Sequence, residues 1–375
     1  MIKTILLLFI MLSGLSLIAQ NEKRQHFFVQ SRGFYGKPIA YSDSLSPDQL
    51  NSNFIAADIR IGVQANGERS KDQFLGFQQY GVGIFHANLN NEILGNPWGI
   101  YTFVSVPLYT NNSFTLYNDA SFGIGFGFNE YDPITNPKND IIGSDINAYF
   151  TIGAKAAYSL NDRFTIDAGA EFQHFSNGTL KTPNKGLNMY SGHLGLTYFF
   201  NSINEETYTP AEKISKPVPK IEKYNEMTFV YSIGGKSTLA NYGKPPNYLM
   251  TSIVIDYYRR YHHIAKYGGG IEYIYDGTYV ADYTEAQSFD KYSFIAIHAS
   301  HELYFSKFAF VSHLGTYLWK GTPGKGWVYA RVGLRYYISE HFIANLTLKT
   351  ENGFKADFIE AGIGYRFKFK KNKTE

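Results

Sequence analysis

His174 and Ser176 stand two residues apart in a segment where apolar and polar residues alternate. Such alternation predicts a β-strand, on which side chains two positions apart share a face and their Cα atoms lie about 6.6 Å apart. An imidazole nitrogen can reach a serine oxygen across that gap. A histidine acting as base beside a serine hydroxyl is the core of nucleophilic acyl transfer, so these two residues form a candidate catalytic pair.

The direction in which this pair points follows from its neighbours along the strand. The preceding residues on the same face are apolar: Phe164, Ile166, Ala168, Ala170 and Phe172. The alternate residues are mostly polar, and in a membrane-spanning β-barrel the apolar face meets lipid while the polar face lines the lumen. We therefore expect His174 and Ser176 at the outer end of the lipid-facing row. The alternative interpretation is a passive pair at the barrel rim that contacts lipid headgroups.

Asn188 is the third polar group expected at this place. It opens the outward row of the next predicted strand, and the hairpin between the two strands brings it beside His174 and Ser176. An amide can orient an imidazole, as in the Cys-His-Asn proteases. Asn188 is therefore the candidate orienting group.

Period-two alternation recurs from residue 27 onward and predicts an all-β protein whose strands reach the length of tilted transmembrane strands. The first half contains eight predicted strands: Phe28–Gly36, Phe54–Gln64, Phe74–Ala87, Trp98–Tyr109, Phe114–Phe128, Ile146–Ser159, Phe164–Phe175 and Leu187–Phe200. The second half contains about eight more: Met227–Gly235, Tyr248–Arg260, Ala265–Tyr275, Tyr292–Phe305, Phe308–Trp319, Trp327–Tyr337, Phe342–Thr350 and Lys355–Phe369.

The connections in the first half alternate in length. Those after the second, fourth and sixth strands are predicted to be tight, such as Thr110–Ser113 and Leu160–Arg163, whereas the others are longer and polar, such as Asn129–Gly143. Short periplasmic turns alternating with long outer loops are typical of an outer-membrane antiparallel β-barrel. A soluble β-sandwich also has many strands, but it does not account for this alternation.

The N-terminal residues and the composition indicate the compartment. Lys3, the apolar run Ile5–Leu12 and the small-residue site Ser16–Ala19 predict a cleaved signal peptide over residues 1–19, in preference to an uncleaved anchor. The 31 Tyr and 30 Phe fit the aromatic girdles of a membrane barrel, and the lack of Cys excludes disulfides and thiolate metal sites. A net charge of +3 does not indicate a nucleic-acid partner. The predicted location is the cell outer membrane.

No cofactor or metal site is predicted. The adjacent pair His262–His263 and the pair formed by His298 and His301 each place their two side chains on opposite faces of a strand. Asp132 and Asp140 flank a long outer loop and offer a calcium site, but a solvated loop is the favoured interpretation.

The strand pattern breaks at residues 201–224, where prolines and charges predict a linker between a barrel at 20–200 and a second half at 225–370. Both halves end in similar aromatic strands, Leu194–Phe200 and Ile363–Phe367, which indicates a diverged tandem repeat. A terminal aromatic strand resembles the signal that barrel-assembly machinery reads. The interpretation is two eight-stranded barrels, the second non-catalytic, with one barrel of about sixteen strands as the alternative.

The hairpin that carries the candidate pair resembles a known family. Its His-Phe-Ser-Asn motif, followed by Lys-Thr-Pro-Asn-Lys-Gly before the last strand of an eight-stranded unit, is similar to the PagL-type lipid A 3-O-deacylases. The resemblance covers about residues 27–200. It implies an outer-membrane barrel with a lipid-facing active site, in which Ser176 is the nucleophile, His174 the base, and Asn177 and Gly178 belong to the oxyanion hole.

Two positions depart from the family pattern: the acidic triad member falls on Asn188, and the family's glycine falls on Thr179. The resemblance implies an esterase that removes an ester-linked 3-O acyl chain from lipid A or lipopolysaccharide, surrounded by outer-membrane lipids. The alternatives are a phospholipase and a non-enzymatic barrel with a structural, adhesion or pore role. A homo-oligomer is compatible with either class.

Overall fold

The fold is that of a computed structural model. It describes residues 26–39, 52–65, 72, 75–111, 113–200, 221–237, 248–280, 289–305, 307–321, 326–352 and 355–369. The predicted signal peptide and residues 201–220 of the predicted linker lie outside these ranges. Within the ranges, no helix is long and apolar enough to cross a membrane.

Eight antiparallel strands close the first barrel. They are β1 (His26–Pro38), β2 (Phe54–Gln64), β3 (Gln79–Asn88), β4 (Gly95–Asn111), β5 (Phe114–Phe128), β6 (Asn147–Ser159), β7 (Phe164–Ser176) and β8 (Leu187–Phe199). Each strand pairs with the next along the chain, and β1 also pairs with β8, with Phe28 opposite Phe199. The ring therefore leaves no free edge between its first and last strands.

The second barrel repeats this plan. Its strands are β9 (Asn225–Lys236), β10 (Tyr248–His262), β11 (Ala265–Asp276), β12 (Ser293–Phe305), β13 (Phe308–Lys320), β14 (Val328–Tyr337), β15 (Phe342–Glu351) and β16 (Lys355–Phe369). Strand β9 pairs with both β10 and β16, which closes this ring on itself. The prediction of two eight-stranded antiparallel barrels is confirmed, and the alternative of one barrel of about sixteen strands is wrong.

The start of β3 differs from the prediction. The strand begins at Gln79 rather than Phe74, because Gly76 and Phe77 have φ angles of 67° and 68°. A left-handed backbone at two successive residues is incompatible with an extended strand. The connection after β2 consequently runs from residue 65 to 78, so the prediction of a tight turn at this place is wrong.

Both barrels are filled by charged side chains rather than left open. In the first barrel, Arg60 and Asp119 form a buried ion pair at 2.8 Å. In the second, Glu272 binds Arg331 at 2.7 Å and Lys349 at 2.9 Å. Buried charges are tolerated when they are paired and hydrogen-bonded, so these networks explain why the inward rows are polar.

An aromatic layer orients β7, the strand that carries the candidate pair. Phe175 points inward, where its ring stacks on Tyr149 with centroids 4.4 Å apart. Gly125 makes room for it, because a Cβ there would lie 2.5 Å from the Phe175 ring. With Phe175 anchored in the lumen, the residues on either side of it must face outward.

Candidate active site

The register between β7 and β8 sets the candidate residues side by side. His174 is paired with Asn188, and Ser176 ends β7 opposite Ala148 of β6. The alternate residues of β7 point into the lumen, where Gln173 is fully buried. His174 and Ser176 therefore lie on the outer surface of the barrel, at the end of β7, with Asn188 beside them.

The His174 ring is held from two sides. Its Nδ1 lies 2.5 Å from Oδ1 of Asn188. Since a carboxamide oxygen only accepts hydrogen bonds, Nδ1 carries the proton and Nε2 carries the lone pair. Gly186 lies against the ring with a φ of 78°, and a Cβ at this position would lie 2.9 Å from Cε1 of His174. The imidazole is thus kept in the tautomer that a general base requires.

Among the described residues, the hydroxyl of Ser176 is hydrogen-bonded by the loop that follows it and not by His174. Nδ2 of Asn184 donates to Oγ at 2.9 Å, and the backbone N–H of Gly178 donates to it at 3.1 Å. Ser176 is only 5% exposed. Catalytic hydrogen bonds often form only once substrate is bound, and the two side chains remain neighbours on one face of β7.

The turn after Ser176 gives different surroundings to the two candidate oxyanion residues. The Asn177 amide donates to Oγ of Ser144 at 2.8 Å and to a backbone carbonyl of its own loop at 2.9 Å, so this side chain ties the loop down. Its backbone N–H donates to Oδ1 of Asn184 at 3.0 Å. The N–H of Gly178, whose φ of 61° suits glycine, points instead at the Ser176 oxygen.

Asn184 is a site residue that sequence reasoning missed. It belongs to the Lys-Thr-Pro-Asn-Lys-Gly motif, but no role was assigned to it. The structure bridges its backbone to Ile142 and places its amide on both Ser176 and the backbone of Asn177. The available signal was a polar side chain after Pro183, in the loop that joins the two strands of the candidate pair.

The two loop aspartates considered for calcium have other partners. Asp132 accepts hydrogen bonds from the backbone N–H groups of Thr135 at 2.7 Å and Ile134 at 2.8 Å, which hold the pKa of its carboxyl below its usual range. Asp140 forms an ion pair with Lys185 at 2.9 Å. Each aspartate thus stabilises its own loop.

A second group of potential metal ligands was also missed, because it comes from three strands. Asp256, His298 and His313 meet inside the second barrel, with ligand atoms within 4.8 Å of one another. The two imidazoles stack with centroids 4.2 Å apart and an interplanar angle of 6°. The nitrogen lone pairs of two stacked, parallel rings lie in separate planes and do not converge on one point, and Nε2 of His298 instead lies 2.6 Å from Oδ1 of Asp256. The arrangement is that of a hydrogen-bonded carboxylate and imidazole pair.

Fold and site together define a class: a membrane β-barrel with a Ser-His-Asn group on its outer surface. Residues 56–197 match the family described as lipid A 3-O-deacylase (PagL), and residues 225–371 match the acyloxyacyl hydrolase C-terminal domain. The first barrel is a lipid A 3-O-deacylase (PagL) family domain, and the protein is an outer-membrane protein. No curated protein sequence was found to match it.

Solved structures of barrel proteins resemble parts of the chain. Neisserial surface protein A is 14% identical, with 46% of this chain and 97% of that chain covered and a TM-score of 0.33. The outer membrane enzyme PagL is 18% identical, with 44% and 97% covered and a TM-score of 0.29. Because these identities and TM-scores are low, the family is identified from the two sequence-family matches and not from these structures.

Proposed function

We propose that the protein is an outer-membrane esterase that removes an ester-linked 3-O acyl chain from lipid A or lipopolysaccharide. Ser176 is the nucleophile, His174 the general base and Asn188 the group that orients the imidazole. The family supports the substrate class, and the site chemistry supports the reaction type. A site on the outer surface of a barrel also lets an amphiphilic substrate approach without leaving the bilayer.

The observation that carries this proposal is the hydrogen bond between Asn188 and His174. With Nδ1 engaged by an acceptor, Nε2 is the basic nitrogen on the face shared with Ser176. In the first step Nε2 takes the serine proton while Oγ attacks the ester carbonyl, and the protonated imidazole then gives the proton to the sugar oxygen as the ester C–O bond breaks. Water hydrolyses the acyl-enzyme by the same route and releases a fatty acid.

The tetrahedral intermediate needs hydrogen-bond donors beside the serine oxygen. Gly178 N–H and Asn184 Nδ2 both converge on Oγ of Ser176, at 3.1 and 2.9 Å. An oxyanion on the carbon bonded to Oγ lies within reach of the same two donors. We assign the oxyanion hole to Gly178 and Asn184, and give the Asn177 side chain the structural role of holding the loop.

Strand β16 is a candidate recognition signal for insertion of the barrel into the outer membrane. Strand β16 ends in an aromatic segment that includes Tyr365, Phe367 and Phe369, of which the two phenylalanines are exposed. We propose that this strand presents the terminal signal to the barrel-assembly machinery. The outward residues of β16 also leave room for a homo-oligomer, in which they would contact a second copy of the protein.

The proposed activity is tested by the release of 3-hydroxy fatty acid from purified lipid A in detergent micelles. Ser176→Ala and His174→Ala should each abolish release to a similar extent, because nucleophile and base act as one unit. Ser159→Ala, an exposed serine at the opposite end of the barrel wall, is the matched control and should retain the wild-type rate. Heat-modifiable migration of each variant reports intact folding. If the wild type releases no fatty acid, or Ser176→Ala releases as much, the proposal is wrong.

A further inference from the structure

The two barrels meet at the turn that follows Ser176. The backbone N–H of Ser237, just after β9, donates to the carbonyl of Thr179 at 3.0 Å. The hydroxyl of Thr179 donates to the backbone carbonyl of Asp357 in β16. Next to them, the hydroxyls of Thr182 and Ser237 lie 3.5 Å apart. Polar groups of the second barrel thus contact the loop that holds the serine.

A close apolar contact accompanies these hydrogen bonds. A Cβ built on Gly178 would lie 2.3 Å from both Cδ1 and Cγ1 of Ile359. The Ile359 side chain therefore rests directly on the Cα of Gly178, the residue whose N–H points at Ser176. A larger residue at 178 would require either the Ile359 side chain or the turn to move, and the φ of 61° adds backbone strain.

The second barrel offers a firm surface for this contact. Ile359 lies opposite Gly235, where β16 pairs with β9 and the ring closes. Lys236 forms an ion pair with Asp357 and lies 3.7 Å from Asp276. Ser237 and Asp357 are both almost fully buried. The contact is therefore made where β16 and β9 close the ring, a place at which the backbones of the two strands are hydrogen-bonded and the charged side chains form ion pairs.

We infer that the second barrel is a positioning element for the esterase site of the first. It holds residues 177–179 in the conformation that keeps the Gly178 N–H beside the serine oxygen. Thr179 has a φ of 65°, which a β-branched residue rarely adopts, and both its carbonyl and its hydroxyl are engaged by the second barrel. This inference rests on the proposed function, because a contact can position an esterase site only if the first barrel is an esterase.

The contact is tested first by activity. Ile359→Ala removes the packing on Gly178 and should lower kcat about tenfold or more with KM little changed, because a displaced oxyanion donor affects the transition state more than binding. Ile363→Ala is the matched control: it lies on the same row of β16 and is 71% exposed. An equal effect of both substitutions, or a rise in kcat with Ile359→Ala as expected for a lid, would overturn the inference.

A second pair of variants tests the hydroxyl of Thr179. Thr179→Val keeps the branched shape and loses the hydroxyl contacts to the carbonyls of Asp357 and, at 2.6 Å, Gly178, whereas Thr179→Ser keeps both. The inference predicts a lowered kcat for the first and a rate close to wild type for the second. Equal rates for the two would show that the hydroxyl contact does not position the turn.

Docking is tested independently of activity by a disulfide. The chain has no Cys, and the short distance between the Thr182 and Ser237 hydroxyls suits a bridge in a Thr182→Cys, Ser237→Cys double variant of the full chain. Oxidation in outer-membrane vesicles should give a cross-link that reducing agent reverses, with esterase activity retained in the cross-linked form. Absence of the cross-link would overturn the docking. A cross-link in a protein that releases no fatty acid would leave the docking intact and count against the proposed function.

Discussion

Oδ1 of Asn188 lies 2.5 Å from Nδ1 of His174, directly across the β7–β8 ladder. The bond places an amide where many serine hydrolases use a carboxylate. It fixes the tautomer and the orientation of the imidazole, but it adds no negative charge to stabilise the imidazolium. In a triad, the acid both orients the imidazole and supplies a stabilising negative charge. Asn188 does only the first, so substitutions at this position can test orientation and charge separately.

The first prediction concerns these two functions. Asn188→Ala removes the acceptor, so that either tautomer of His174 forms and kcat falls about tenfold or more, at most by the ~10²–10⁴ that general-base catalysis contributes. Asn188→Glu, or the isosteric Asn188→Asp, restores a charge and should hold or raise kcat. Fatty acid release from lipid A measures both. A fall with Asp or Glu as large as the fall with Ala would show that the carboxamide is specifically required.

The second prediction concerns Asn184. Asn184→Ala removes a donor at the Ser176 oxygen, and loss of one oxyanion donor typically costs about 10²–10³ in kcat. Asn184→Asp should be no better, because a carboxylate repels the oxyanion. Asn118→Ala, which removes an amide bonded to the Gly153 carbonyl on β6, is the control and should keep the wild-type rate. A full rate for Asn184→Ala would remove this residue from the oxyanion hole.

The third prediction concerns Gly178. Gly178→Ala adds a Cβ at a strained φ of 61° and against the Ile359 side chain, so we expect the turn and the Gly178 N–H to shift and kcat to fall strongly. Gly33→Ala is the matched control, because its Cβ would meet nothing within 4 Å. Steady-state kinetics in micelles, with heat-modifiable migration as the folding check, distinguishes the two. Similar kinetics for both variants would contradict the tight contact at 178.

The fourth prediction concerns the charged lumen of the second barrel. Glu272→Gln removes the carboxylate that binds both Arg331 and Lys349, so that Arg331 keeps only its pair with Glu360, and removing one partner of a buried ion pair costs about 3–5 kcal/mol of unfolding free energy. Glu340→Gln disrupts an exposed pair with Lys368 and should cost no more than about 1 kcal/mol. Urea unfolding in detergent micelles compares them. Equal midpoints would show that Glu272 is not required for the stability of this barrel.

Much of the fold follows from alternation along the chain. The predicted bounds of Phe54–Gln64, Phe114–Phe128 and Lys355–Phe369 coincide with β2, β5 and β16. A strand between lipid and a charged lumen must alternate at every residue, so its sequence carries both its position and its outward face. The same rule places His174 and Ser176 on one outward row of β7.

Other features depend on residues far apart in the chain. Alternation is identical in one ring of sixteen strands and two rings of eight, and only the pairing of β1 with β8 and of β9 with β16 distinguishes them. The start of β3 was misplaced because a turn at Gly76 and Phe77 overrides an apolar pattern.

The surroundings of the serine show the same division. The grouping of His174, Ser176 and Asn188 follows from local sequence, because two adjacent strands and a hairpin suffice to bring the three residues together. The contact of Asn184 with the serine and the hydrogen bond from Ser237 to Thr179 are seen only in the folded chain. Those contacts depend on how a loop folds back and where a second barrel docks, and neither event leaves a periodic pattern in the residues involved.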